Sequence, residues 1–385
     1  MNNSNTSWQQ HQKPQQENKQ MLTKTKNKTA GQDTAAQFQQ WQPPQENGSR
    51  QENTLTIETL ECHTGGEPLR IITGGFPELA GSTILEKRRD CLLRHDALRR
   101  ALMFEPRGHG DMYGAIITEP ERENSHFGAI FIHNEGYSTM CGHAVIALAK
   151  CAVESGVVEQ TGEVTQVVID VPCGQIHARA FARGKVVTRV NFDSVPSFVY
   201  AAGQSIVVDG IGEVNFDIAF GGAFYAYVQA SQLGLALVPE QQEKLINHGR
   251  KIKAAISKKR PVSHPLEGDL SFLYGVIFID DSPVDGVHSR NVCIFADGEL
   301  DRSPTGSGVS GRIALHVAKG QVPLKQDINI ESILGSQFTV QACERLDYDG
   351  YPAVIARVSG QAFVCGKGRW LINEQDPLKH GFLLR

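Results

Sequence analysis

The sequence predicts an α+β fold made of two related halves, and three observations lead there. At 385 residues with 40% hydrophobic content, the chain can bury more than one core. Alternating apolar runs, the signature of strands, precede each of two apolar helical segments, so each helix is expected to be wrapped by a sheet. The two helical segments also resemble each other. Cys141-Gly142 is matched 164 residues later by Thr305-Gly306, and Ala147-Leu148-Ala149-Lys150 is echoed by Ala314-Leu315-His316-Val317-Ala318-Lys319.

Taken in order, residues 1–53 hold thirteen glutamines and few aliphatic side chains. They cannot bury enough apolar surface to offset the entropy of ordering, which predicts a disordered Gln-rich tail. A strand follows at 55–61, then a polar loop at 62–70, whose Gly pair suits either a tight turn or the rim of a site, and a short strand at 71–72. The charged segment 83–104 carries Leu92, Leu93, Leu98 and Leu102 at helical spacing and predicts one or two surface helices. A polar turn at 107–114 leads to strands at 115–117 and 128–133. The run of helix formers after Tyr137 places a helix start at 139–142. Strands at 164–171, 174–182 and 185–192 are joined by short polar turns, which favours antiparallel pairing. New strands are expected at 205–208 and 215–220, leading to the run 221–228, whose glycines allow close backbone approach; then come an amphipathic helix at 239–257, strands at 273–279 and 292–296, the helix that begins at Thr305, and strands again within 338–372. This order divides the chain into a first domain of residues 54–197 plus about 345–385, which carries Cys141, and a second of 198–344, which carries Thr305.

The chemistry concentrates at the two helix starts. Cys141 falls in a first turn, where unpaired N–H groups and the helix dipole favour an anion, so its thiol is expected to ionise more readily than a free one. Gly142 lets a ligand approach the backbone, and His143 sets a second polar group beside the sulfur. A lone cysteine is ordinarily a small apolar packing residue. The second copy changes that weighting, because two facing helix N-termini point at one small anionic ligand. The run Gly306-Ser307-Gly308-Val309-Ser310-Gly311 also fits a dinucleotide fingerprint, with Glu331 further on. The preceding strand ends near 296, however, and a nucleotide fold needs the glycines in the turn directly after the strand.

Composition excludes several classes. A net charge of −4 gives no general attraction to nucleic acid or to an anionic membrane, and no apolar run is long enough to span a bilayer. The eight cysteines are scattered without a C-x-x-C pair, and no His, Cys or Asp spacing matches a metal signature. The N-terminus lacks a charged and apolar leader, so reduced thiols and a cytoplasmic location are expected.

Five motifs, in order, resemble the proline racemase family: His63-Thr64-Gly65-Gly66-Glu67-Pro68; Arg107-Gly108-His109 with Asp111-Met112-Tyr113-Gly114; His133-Asn134 through Cys141-Gly142-His143; Gly221-Gly222-Ala223-Phe224-Tyr225-Ala226; and Asp301-Arg302-Ser303-Pro304. The resemblance runs from about residue 55 to the C-terminus. It implies a cofactor-independent enzyme of diaminopimelate-epimerase-like fold, two pseudo-symmetric α/β domains each with a mostly antiparallel sheet around a central helix, and a homodimer. It also implies a small imino acid as ligand, with Cys141 catalytic and Gly142, His143, Asp301, Thr305, Gly306 and Ser307 binding the substrate. In the family's racemases a second cysteine stands where this chain has Thr305. That departure matches the branch that dehydrates trans-3-hydroxy-L-proline, as does the closing stretch Asp376-Pro377-Leu378. The alternatives are a 4-hydroxyproline epimerase or proline racemase, and, in another class, a non-catalytic amino-acid-binding protein.

Overall fold

The computed structural model describes residues 54–384; the expected tail at 1–53 lies outside the described residues. The first half opens with β1 (Thr54–Thr64) and β2 (Glu67–Gly74), followed by α1 (Ile84–Arg94), α2 (Asp96–Met103), β3 (Tyr113–Thr118), β4 (Phe127–His133), β5 (Gly136–Ser138) and α3 (Gly142–Glu154). It continues with β6 (Val164–Val171), β7 (Gly174–Arg183) and β8 (Val186–Asp193). After β9 (Ser197–Val208) come β10 (Gly212–Phe220), β11 (Phe224–Gln229), α4 (Gln242–Lys259), β12 (Leu273–Asp280), β13 (Ser289–Phe295), β14 (Glu299–Leu300) and α5 (Gly306–Ala318). The chain then forms β15 (Asp327–Glu331), β16 (Gln337–Tyr348), β17 (Tyr351–Gly360) and β18 (Ala362–Asn373).

Strand pairing makes the internal repeat explicit. In the first half β1 and β2 are antiparallel, β2 and β3 parallel, and β3 and β4 antiparallel; β4 then meets β5 antiparallel and β6 parallel, and β6, β7 and β8 form a meander. The second half runs through the same sequence from β10 to β17. The remaining strand of each half crosses over: β9 pairs with β10, and β18 pairs with β1 along its whole length. The protein is thus a sheet-rich α+β fold of two domains.

At the centre of each half is one of the two 13-residue helices, α3 and α5. Every residue of α3 from Gly142 to Val153 is buried, including Val145, Ile146 and Leu148. A helix apolar on all sides is stable only if it is enclosed. Strands β1, β2, β6, β7, β8, β17 and β18 enclose α3, while β9, β10, β11, β16 and β17 pack on α5. Burying each aliphatic side chain there contributes about 1.5–3 kcal/mol. The one buried cation of α3, Lys150, is held by Glu154 (2.6 Å) and by the carbonyl of Val187 (2.7 Å).

Several sequence expectations are corrected. Of the polar segment 62–70 only Gly65 and Gly66 turn, as the tight-turn reading has it, and the residues on either side are strand rather than loop. β1 continues to Thr64, turns through Gly65 and Gly66 at φ 63° and 93°, and returns at once as β2. Two positive-φ residues give the hairpin turn whose twist matches its strands, and the polar run Cys62-His63-Thr64 is kept in a strand by pairing with β18 on its other side. The charged segment 83–104 does form two helices; α1 buries Ile84, Lys87 and Cys91, while Leu93 is 82% exposed. Strand β15 and the first half of β9 were not foreseen.

Candidate active site

The two helices meet at their N-termini. A Cβ added at Gly142 would lie 2.5 Å from the Gly306 Cα, and one added at Gly306 would lie equally close to Gly142. Only glycine permits that approach. The first intrahelical bonds are Val145 N–H to Cys141 C=O (3.0 Å) and Val309 N–H to Thr305 C=O (2.8 Å), so the amides of residues 142–144 and 306–308 precede the hydrogen-bonded turns. The two helix starts therefore bring the positive ends of two dipoles to one place, a setting that favours an anion. Loop residues from both halves fasten the junction. Thr139 Oγ1 donates to the Gly222 carbonyl (2.8 Å), and a side chain on Gly221 would strike the Ser307 carbonyl.

A small cavity opens at this junction. All seven residues expected from the sequence line it: Cys141, Gly142, His143, Asp301, Thr305, Gly306 and Ser307. Tyr113, Met140, Tyr225, Tyr274 and Phe295 complete the wall and were not singled out beforehand. Tyr113 and Tyr225 lie within motifs that were quoted. Tyr274 and Phe295 sit in runs that read as ordinary core strands, because an aromatic facing a cavity and one facing a core have the same sequence pattern.

Cys141 occupies the N-cap position of α3 in extended conformation, with its Sγ 3.1 Å from His143 Nδ1. Contrary to expectation, its thiol is harder to ionise than a free one. Burial pushes it well above the usual thiol range; the Ala144 amide pulls it down, nearby Asp301 pushes it up, Tyr113 pulls it down and Glu67 pushes it up. The helix start does stabilise the thiolate, but desolvation and two carboxyl groups outweigh it. Burial also holds His143 below the ordinary histidine range, against the pull of Asp301 and the Pro68 carbonyl. Glu67 is fully buried. Burial and then Asp301 drive its carboxyl well above the usual range, while Arg302, whose N–H donates to Glu67 Oε2 at 2.7 Å, draws it back.

Thr305 caps α5 with φ 68°, a left-handed conformation that a β-branched residue adopts only where its surroundings impose it. Three hydrogen bonds do so. Thr305 N–H donates to Ser303 Oγ (3.1 Å), Ser303 N–H donates to Asp301 Oδ1 (2.7 Å), and Thr305 Oγ1 donates to Asp301 Oδ2 (2.8 Å). The Thr305 hydroxyl is thus committed to a carboxylate. Ser307 Oγ is likewise bonded to the Tyr225 hydroxyl (2.8 Å). The glycines of the apparent dinucleotide fingerprint serve packing. Gly306 touches Gly142, Gly308 makes room for Ile277 and Gly311 for the Tyr227 hydroxyl, while Glu331 pairs with Arg290 (2.8 Å). Among the described residues no three His, Cys, Asp or Glu side chains are grouped to hold a metal. No described helix is long and apolar enough to cross a membrane. All eight cysteines are free thiols.

Fold and site together define a two-domain α+β protein whose halves close on a small anion-accepting cavity with one thiol. The chain belongs to the proline racemase family, whose model matches residues 59–383. It is similar to the trans-3-hydroxy-L-proline dehydratase of Colwellia psychrerythraea, at 70% identity over 91% of this chain and 98% of that one. It is also similar to the 3-hydroxyproline 2-epimerase of Burkholderia multivorans, at 46% identity over 86% and 98%. Among solved structures, a hydroxyproline epimerase from Agrobacterium vitis with bound trans-4-hydroxy-L-proline superposes with a TM-score of 0.82, at 30% identity over 86% of this chain and 95% of that one.

Proposed function

We propose that this chain dehydrates trans-3-hydroxy-L-proline to Δ1-pyrroline-2-carboxylate and water, with Cys141 removing the α-proton. The observation that carries the reading is the inequality of two matched positions: a thiol caps α3 and an alcohol caps α5. Inversion at the α-carbon needs a base on one face and an acid on the other, and a threonine hydroxyl is far too weak near neutral pH to replace a thiol with a reference pKa of roughly 8.5. Elimination makes no such demand. In trans-3-hydroxy-L-proline the hydroxyl is opposite the carboxylate, hence on the same ring face as the α-hydrogen. One sulfur on that face takes the α-proton, and the 3-hydroxyl leaves as water. The enamine so formed tautomerises to the pyrroline. The name borne by the 70% identical relative supports the same reading.

In this mechanism the substrate carboxylate sits at the amides of Gly142, His143, Gly306 and Ser307, which stabilise the charge that develops there as the α-proton departs. Asp301 and His143 hold the ring nitrogen in its cationic form, which acidifies the neighbouring C–H. The same cation offsets the field of Asp301 that raises the Cys141 thiol, so the substrate helps to generate the thiolate that attacks it. The fold is of the diaminopimelate-epimerase-like kind, which the matching strand order of the two halves supports, and the assembly is a cytoplasmic homodimer.

Incubation with trans-3-hydroxy-L-proline tests the reading: pyrroline carboxylate should accumulate, and its absence would overturn the assignment. A second reading, 3-hydroxyproline 2-epimerase, is favoured by the relative from Burkholderia multivorans. It requires the D-configured epimer to appear without loss of water, which chiral chromatography detects.

A further inference from the structure

Dehydration places a demand on the cavity that α-proton removal does not. Hydroxide is a poor leaving group, so a proton donor must reach the 3-hydroxyl on the same ring face that Cys141 serves. Three phenols line the cavity. That of Tyr225 is bonded to Ser307 Oγ, on the α5 side. The Tyr113 ring stands edge-on to His143 with centroids 4.9 Å apart, and its hydroxyl lies beside the Cys141 sulfur. The Tyr274 hydroxyl is different: it is buried and has no hydrogen-bond partner. It lies near the hydroxyls of Tyr113 and Ser138 without meeting hydrogen-bond geometry with either, and it feels the charge of Cys141. A buried donor left unmatched costs free energy, and a ligand hydroxyl in the cavity is the partner it lacks.

Resting on the dehydratase reading above, we propose that Tyr274 binds the 3-hydroxyl of the substrate and gives it the proton with which it departs. The Cys141 thiolate takes the α-proton, and the C2–H electron pair becomes the C2–C3 π bond. The C3–O bond breaks with its pair on oxygen, which takes the Tyr274 proton and leaves as water. The Cys141 thiol then reprotonates the Tyr274 phenolate through the Tyr113 hydroxyl, which neighbours both groups, and thiolate and phenol are restored. Burial raises the Tyr274 phenol above the ordinary tyrosine range, so it carries its proton when the substrate binds. The ring itself is fixed by stacking on Phe295 (5.4 Å between centroids), so removal of the hydroxyl alone leaves the wall standing.

The test compares two leaving groups in the full-length protein and in Tyr274→Phe. Chloride departs without a proton, whereas hydroxide does not. With trans-3-hydroxy-L-proline, Tyr274→Phe should lower kcat by about 10²-fold or more, as expected for loss of a general acid. With trans-3-chloro-L-proline, elimination by the variant should stay within a few-fold of the parent. An equal loss on both substrates would reduce Tyr274 to a structural residue and overturn the proposal, as would unchanged dehydration. A parent protein that eliminates from neither substrate would overturn the dehydratase reading itself, and this proposal with it.

Discussion

Cys141 and Thr305 hold equivalent places at two helix starts, yet their side chains are set differently. The thiol points at His143 Nδ1, while the hydroxyl is spent on Asp301. Cys141→Ser should therefore abolish turnover and leave the circular dichroism spectrum and melting temperature close to those of the parent; wild-type rates in the variant would remove this sulfur from the mechanism. Thr305→Cys should bring in slow epimerisation of proline or 4-hydroxyproline, measured by chiral chromatography, because it supplies an acid/base group at the second helix start. The positions of both residues were legible in the sequence, through the match of Cys141-Gly142 with Thr305-Gly306. The ionisation of Cys141 was not. A helix start can be read from residue types, but the desolvation that outweighs it depends on Asp301, Glu67 and Tyr113, which only the fold brings near.

Among the elements, α3 and α5 were the most readable, because a run of small and aliphatic residues behind a glycine marks both a helix and its enclosure. What the sequence could not convey is that the two glycines touch each other. Gly142→Ala sets a methyl group 2.5 Å from the Gly306 Cα, so the helices must part. That overpacking should cost about 1–3 kcal/mol, visible as a lowered melting temperature. Turnover should fall as well, because the amides of the two starts move apart. Strands were legible where alternation was clean, as in β6 to β8. They were missed where the run does not alternate, as in the first half of β9, or is short, as in β15. The turn at Gly65 and Gly66 was readable, but the polar residues before it were read as loop, because their strand owes its order to β18, 300 residues away in the chain.

For the whole molecule, burial of so many neutral thiols and phenols sets an alkaline limit to stability. Folding raises Cys91 to about 11 and Cys173 to about 12, from 9.0, and carries Cys141, Cys293, Tyr113 and Tyr225 upward in the same direction. A group whose folded pKa is raised contributes stability that is complete below its unfolded pKa and is lost as pH rises toward the folded one. The melting temperature should therefore hold up to about pH 9 and decline from there toward pH 11 to 12. A flat profile across that window would show that these groups are not shielded from water.

The antiparallel pairing of Thr54 with Asn373 and of Thr64 with Ala362 also bears on how the protein is made. A ribosome makes β1 about 300 residues before its partner β18. Until then the nascent first half lacks one of the strands that flank α3, and the edge of β1 stays open to stray pairing. The sheet around α3 is therefore completed only once the second half of the fold has been made.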